Sequence, residues 1–270
     1  MKDIVSLPQP VHVRHMGDGP RKVLAIHCTL AHGGAWRGLA GQLPEAQFTA
    51  FDMLHHGRSP DWDGQGEFQE RNLEAAETLL TGPMDVVGHS FGATVALRLA
   101  VRHPELVRSL TLAEPVFFKV AELDAPEVLA QHGRDASPFF EAWEQGDFAL
   151  AARLFNRMWS TDDSPRWPQL PEATRDAMIR SIPVVPACDR PLFEDSAGLL
   201  APGVLDRVTM PVLLLRGDLT HPVIKTINEG LARRLPDARS EVIEGAGHMV
   251  PITHPEPVAA HIRALWSRSH

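Results

Sequence analysis

The pattern Gly-x-Ser-x-Gly at residues 88–92 constrains the fold of this chain more than any other segment. Such a pattern places a serine, here Ser90, on a sharp turn from a strand into a helix. Residues 84–87 are partly β-branched, as in a buried strand, and residues 93–102 carry apolar side chains at helical spacing. Glycines flank the serine because larger side chains would collide at so sharp a turn. We interpret Ser90 as a nucleophile; the alternative is an ordinary glycine-rich loop.

Size and charge limit the class of protein. The chain has 270 residues, of which 44% are hydrophobic, and no shift in composition divides it. Single α/β domains reach this length. The formal net charge of −8 argues against nucleic acid or an acidic membrane surface as a partner. We expect a small-molecule substrate, and the oligomeric state stays open, a homodimer included.

The sequence carries no pattern typical of membrane, secreted or metal-binding proteins. No apolar stretch approaches the roughly 20 residues of a membrane span, and residues 1–8 lack the apolar core of a signal peptide. We therefore expect a cytoplasmic protein with no membrane partner, in which Cys28 and Cys188 are reduced thiols. The 14 histidines do not fall at metal-ligand spacing, so we expect neither a metal nor a cofactor.

Strand-like and helix-like segments alternate along the chain, which is typical of a mostly parallel sheet. Apolar or β-branched runs predict seven strands, near residues 11–14, 23–27, 48–51, 85–87, 110–113, 212–216 and 241–243. Apolar spacing predicts helices near residues 36–42, 68–80, 93–102, 224–234 and 257–267. We therefore predict an α/β fold with a doubly wound sheet.

The segment from about residue 116 to about residue 205 interrupts this alternation. It contains no convincing strand and is rich in phenylalanine and tryptophan. A structureless loop of that length inside a compact domain is improbable, so the segment predicts a helical insertion. Many of its aromatic side chains must form the insertion's own core. We expect others, with Trp143 and Trp159 as candidates, to line a pocket.

Three motifs together resemble the α/β-hydrolase superfamily. They are the Gly-x-Ser-x-Gly turn, residues 52–59, which look like the family's D-x-x-G-x-G-x-S loop, and the Gly-Ala-Gly-His run that ends at His248. The resemblance covers nearly the whole chain and is more specific for fold than for substrate. It implies an α/β-hydrolase core formed by residues 1–115 and 206–270, with residues 116–205 as a helical cap.

This resemblance also implies a nucleophile and a base. Ser90 would be the nucleophile, because its hydroxyl reacts only once a base takes the proton. His248 is the best candidate for that base, since it lies in a glycine-rich loop straight after a predicted strand and carries the family's G-x-G-H context. We consider His254 and His261 much weaker candidates.

An oxyanion hole would be built from two backbone N–H groups aimed at the developing negative charge. The residue after the nucleophile, Phe91, would supply one of them. The family's pattern in the loop after residues 23–27 places the second donor at Thr29. Cys28 stands where the family usually has glycine, and its side chain restricts the backbone angles, so Leu30 is an alternative donor.

The acid that would orient His248 is where the sequence departs from the family pattern. Related enzymes usually carry Asp three residues after the glycine that ends the strand at residues 212–216, and here that place holds Thr220. Two carboxylates remain as candidates. Asp218 lies in the same loop, two residues early, and Glu114 follows the previous strand directly. We lean towards Glu114, because a strand end projects into the site.

The resemblance implies a serine hydrolase that cleaves a small or medium carboxylic ester through an acyl-enzyme. The same fold also carries carbon–carbon hydrolases, lactonases and cofactor-free perhydrolases, and no residue of the predicted cap separates these readings. A non-catalytic binding protein is the alternative of a different class, supported by Thr220 at the usual acid position and by Cys28.

Overall fold

The computed structural model describes residues 10–269, and within them seven strands form one sheet in the order β1-β3-β2-β4-β5-β6-β7. In chain order the strands are β1 (Val13–Met16), β2 (Arg21–Ile26), β3 (Ala46–Phe51), β4 (Met84–His89), β5 (Val107–Ala113), β6 (Val212–Gly217) and β7 (Ala238–Ile243). β1 runs antiparallel to β3, and every other neighbouring pair is parallel. Residues 1–8, on which the expected lack of a signal peptide rests, lie outside the described residues.

Ten α-helices accompany these strands within the described residues. They are α1 (Arg37–Gln42), α2 (Phe68–Thr78), α3 (Phe91–Arg102), α4 (Phe118–Asp124), α5 (Pro126–Glu144), α6 (Phe148–Met158), α7 (Glu172–Ser181), α8 (Pro222–Arg234), α9 (Val250–Thr253) and α10 (Pro255–Trp266). Pro222 and Pro255 open α8 and α10, where the missing N–H costs nothing and the fixed φ angle suits a helix.

Helices cover both faces of the sheet. Successive residues of a strand point to opposite faces, so a single strand contributes side chains to the core on each side. In β2, Leu24 and Ile26 belong to a core that includes residues of α2, α3 and α8. Val23 and Ala25 of the same strand belong to a second core, built with residues of α1 and α10. The two cores confirm the predicted doubly wound α/β fold.

All seven predicted strands are present, with ends that shift by three residues or fewer. The predicted helix near residue 36 begins as a short 3-10 turn, Gly33–Trp36, before α1 continues it. Such shifts are expected where one or two hydrogen bonds decide the boundary of an element.

Between β5 and β6 the described chain forms α4 to α7 and several short helical turns, without a strand. Phe139, Ala152 and Ile182 of this segment are buried in a separate small core that also includes Leu30 of the loop after β2. Trp143 packs against that core, with its ring centroid 6.3 Å from that of Phe148. The division into a core and a cap spanning residues 116–205 remains a prediction.

The turn from β4 into α3 brings backbone segments very close together. Ser90 has φ 55° and ψ −119°, a conformation that residues with a side chain rarely adopt. A Cβ atom on Gly88 would lie 2.6 Å from Cα of Ala93, and one on Gly92 would lie 2.7 Å from the carbonyl carbon of Ile26. Both glycines are therefore required by close approach of the backbone.

The substitution Gly92→Ala should lower the free energy of unfolding by about 1–3 kcal/mol, because the added methyl group must displace the end of β2. Gly41→Ala is the matched control. Gly41 lies in α1, and a Cβ there would meet no atom within 4 Å. The control should be neutral or stabilise the protein by up to about 1 kcal/mol. Urea unfolding measures both, and equal stability of the two variants would contradict the steric account.

Candidate active site

Three side chains meet at the carboxyl end of the sheet. Ser90 follows β4, Glu114 follows β5, and His248 lies in the loop after β7. The Nε2 atom of His248 lies 2.9 Å from Oγ of Ser90, and its Nδ1 atom lies 2.9 Å from Oε2 of Glu114. All three residues are buried. The carboxyl ends of neighbouring parallel strands meet at this edge, which is where open α/β sheets bind ligands.

Glu114 is held by the loop that follows β6. Its Oε1 accepts a hydrogen bond of 2.6 Å from the N–H of Gly217, and its Oε2 accepts one of 2.5 Å from the hydroxyl of Thr220. Its own N–H donates to the carbonyl of Leu215 at 2.8 Å. Its φ of 53° is in the left-handed region, which glutamate enters only when its surroundings enforce it. The contacts therefore fix one orientation of the carboxylate.

Asp218, the other candidate acid, is exposed to solvent. Its backbone N–H donates to the carbonyl of Ile243 at 3.2 Å, which ties the loop to β7. Within residues 10–269, no hydrogen bond joins the Asp218 carboxylate to His248. Of the two predicted candidates, the structure brings only Glu114 to the histidine.

Two residues contact His248 in ways that the sequence did not predict: His89, which was not singled out, and Trp159, which was expected only to line a pocket. His89 donates from Nε2 to the backbone carbonyl of His248 at 2.7 Å. Burial lowers the pKa of His89 to about 3, so this ring stays neutral near pH 7. The indole of Trp159 stacks on the His248 imidazole, with centroids 4.2 Å apart and planes inclined by 29°. His89 occupies a variable position of the Gly-x-Ser-x-Gly pattern, and no sequence signal marked it.

The loop after β2 reaches Ser90 without strain at Cys28. The left-handed angle falls on Leu30 instead, with φ 61°. His27 pins the loop, since its Nδ1–H donates to the carbonyl of Cys28 at 2.7 Å and its Nε2 accepts from the N–H of Met53 at 2.9 Å. Burial raises the pKa of the Cys28 thiol to about 12, which keeps it from ionising near pH 7.

The backbone N–H groups predicted as oxyanion donors are those of Phe91 and Thr29. Thr29 and Phe91 line the same cavity as Ser90. The turn and cap hydrogen bonds of the described residues use neither of their N–H groups, nor that of Leu30. Phe91 is also the first residue of α3, so its N–H has no carbonyl partner within the helix.

Two cavities meet at Ser90. The first has a volume of about 230 Å³ and a mostly apolar wall that includes Phe118, Leu129, Phe139, Met158 and Leu192. The second, of about 220 Å³, is more polar and includes His248, Asn156, Ser160 and Thr174. Thr29, Ser90, Phe155 and Trp159 border both. Trp143 borders neither, so the expectation that it shapes the pocket is wrong: its ring packs in the small core of the insertion.

Residues 10–269 contain no group of three or more His, Cys, Asp or Glu side chains that could hold a metal ion. None of the helices in that range has the length and apolarity needed to cross a membrane.

Comparison with known proteins agrees with the fold. Residues 22–255 match the family model described as alpha/beta hydrolase fold. A pimeloyl-(acyl-carrier protein) methyl ester esterase of Neisseria meningitidis serogroup A is 30% identical over 93% of this chain and 78% of that protein. Lipase LipV of Mycobacterium tuberculosis is 44% identical over 110 residues. Those residues span 39% of this chain and 41% of the lipase.

A solved structure shows the same architecture. The enol-lactonase from Burkholderia xenovorans LB400 superposes with a TM-score of 0.73 over 95% of this chain and 96% of that chain, at 18% identity. Identity this low shows the fold alone. Together with the family model, which matches most of the chain, it confirms the resemblance drawn from the sequence motifs. The chain belongs to the alpha/beta hydrolase fold family.

Proposed function

We propose that this chain hydrolyses small or medium carboxylic esters through an acyl-enzyme formed on Ser90. The observation that carries the proposal is the chain of hydrogen bonds from Ser90 through His248 to Glu114. The distances from Nε2 of His248 to Oγ of Ser90 and from its Nδ1 to Oε2 of Glu114 are both 2.9 Å. Relatives that match the chain include proteins named as an esterase and a lipase, which supports ester chemistry.

In the first step, Oγ of Ser90 attacks the ester carbonyl carbon while Nε2 of His248 takes its proton. The resulting imidazolium is stabilised by the Glu114 carboxylate on Nδ1 and by the π-face of Trp159, which attracts a cation. The N–H groups of Phe91 and Thr29 would donate to the carbonyl oxygen as it becomes negative. One such donor contributes about 10²–10³ in kcat in comparable enzymes.

In the second step, the tetrahedral intermediate expels the alcohol, which receives the proton from Nε2 of His248. Water then attacks the acyl-enzyme, with His248 again as the base, and releases the carboxylic acid and free Ser90. Since the leaving alcohol must lie beside His248, we assign it to the second cavity, whose wall includes that residue. The first cavity, with its apolar wall, then receives the acyl chain.

The contact at Glu114 weighs against a non-catalytic binding protein. That interpretation rested on Thr220 at the usual acid position and on Cys28. Glu114 supplies the missing carboxylate, and the backbone at Cys28 is not in the left-handed region. Lactonase, carbon–carbon hydrolase and perhydrolase activities would use the same three side chains, and we favour ester hydrolysis because a relative matched over most of the chain is named an esterase. A cytoplasmic location and the absence of a cofactor stay predictions, and the oligomeric state stays open, a homodimer included.

Ser90→Ala should reduce kcat on p-nitrophenyl butyrate to less than about a hundredth of the wild-type value, because the covalent step is lost. A fluorophosphonate probe should label the wild type and not this variant. Ser160→Ala is the matched control, since Ser160 borders the second cavity and donates to the carbonyl of Asn156. Labelling that persists in Ser90→Ala would show that another residue is the nucleophile.

Glu114→Gln and Asp218→Asn both keep shape and remove one charge, so they separate the two candidate acids. Glu114→Gln should lower kcat by about 10²–10⁴, since the imidazolium loses its buried counter-charge. Asp218→Asn should stay within about twofold of the wild type, because an exposed carboxylate contributes little. Steady-state kinetics with p-nitrophenyl butyrate gives both values. A large loss in Asp218→Asn alone would reverse the assignment.

A further inference from the structure

His132 is a buried polar residue that the proposed mechanism does not use. It lies on α5, is 4% exposed, and borders the first cavity. Its Nδ1 atom is buried without a hydrogen-bond partner, and no hydrogen bond among the described residues involves its ring. Its Nε2 atom also lacks a partner but is not fully buried, so Nε2 is the nitrogen that a molecule in the cavity can reach. Burying an unpaired polar atom carries a free-energy cost, so such an atom calls for an explanation.

Neighbouring rings fix the orientation of His132. Phe118 stacks on it with centroids 4.8 Å apart, Trp159 lies 5.4 Å away, and His221 meets it edge to face at 4.9 Å. His221 itself is satisfied, since it contacts the Asp135 carboxylate at 3.1 Å and accepts from the N–H of Val223 at 3.2 Å. Of these two adjacent histidines, only His132 keeps its ring nitrogens without partners in the described structure.

The protonation of His132 defines the chemistry of what it could bind. Burial, with His221 and His248 nearby, lowers its pKa to about 4, and Asp135 opposes this only in part. Near pH 7 the ring is therefore neutral, with one nitrogen that donates and one that accepts. A neutral imidazole in an apolar wall suits an uncharged carbonyl or hydroxyl. It does not suit a carboxylate, whose charge would lose its water without a counter-charge.

The position of His132 places that ligand on the acyl side. Trp159 contacts both histidines, with centroid distances of 5.4 Å to His132 and 4.2 Å to His248, and no ring contact among the described residues joins His132 to His248 directly. The cavity that His132 borders is the one that we assign to the acyl chain.

We propose that His132 hydrogen-bonds an uncharged oxygen substituent partway along the acyl chain, so that the enzyme selects oxo- or hydroxyacyl esters over plain alkanoyl esters of equal length. This inference rests on the proposed ester hydrolysis, because only bound substrate brings such an oxygen into the first cavity. Asp189 is the rival for this role, as a second titratable group on the same wall, whose pKa burial raises to about 6.

The test compares p-nitrophenyl esters of oxoalkanoic acids with those of plain alkanoic acids of five to eight carbons. For the best chain length, kcat/KM of the wild type should favour the oxo ester by about tenfold, the value of one buried hydrogen bond. His132→Phe should remove that ratio, and His132→Gln, which keeps a donor and an acceptor, should retain part of it. Asp189→Asn should keep the ratio.

Several outcomes would overturn the inference. They are an equal kcat/KM for oxo and plain esters in the wild type at every chain length, a ratio that survives in His132→Phe, and a ratio lost only in Asp189→Asn. Failure of the proposed function is a separate result, namely no turnover of any ester by the wild type. Thermal unfolding checks the variants: His132→Phe should melt at or above the wild-type temperature, because it removes an unpaired buried nitrogen.

Discussion

The buried carboxylate of Glu114 is the interaction on which the rest of the site depends. It joins three parts of the chain, because it accepts from Gly217 at the end of β6, from Thr220 in the following loop, and from His248 after β7. A buried carboxylate without such donors would be costly. The same contacts that satisfy it therefore hold the histidine ring towards Ser90.

The contacts of Thr220 explain how a carboxylate at the end of β5, in place of one in the loop after β6, can still contact His248. The family pattern implies an aspartate at this position, and here a hydroxyl fills the space and donates to the acid that replaces it. Glu114 has one methylene more than aspartate, which lets it reach His248 from the end of β5. An aspartate at position 220 in this chain would instead set two carboxylates side by side, which disfavours ionisation of both.

Much of this could be predicted from the sequence, because local pattern decides it. The seven strands follow from apolar and β-branched runs, and the turn at Ser90 follows from the two glycines that the backbone requires. The sequence favoured Glu114 over Asp218 because a strand end projects into the site, but it could not decide between them, since the choice depends on how the loop after β6 packs. A Cβ on Gly217 would overlap the carbonyl group of Ala246, so this loop packs tightly against the loop that carries His248, and Asp218 faces solvent.

Side chains of one type also took different roles that no pattern marks. Trp143 packs in the small core of the insertion, whereas Trp159 stacks on His248. Likewise His89 supports the loop of His248, while His132 borders the first cavity without a partner. Sequence spacing gives the helix on which a residue lies, but tertiary packing decides what its ring contacts.

The central claim, covalent catalysis by Ser90, is tested most directly by mass spectrometry of the enzyme quenched in acid during turnover of p-nitrophenyl butyrate. The account predicts a butyryl group on the proteolytic peptide that contains Ser90, with fragment ions that place it on that serine. It also predicts that the adduct disappears once the substrate is exhausted. A butyryl group on another residue that forms and decays at the rate of turnover, such as Cys28, would contradict the account.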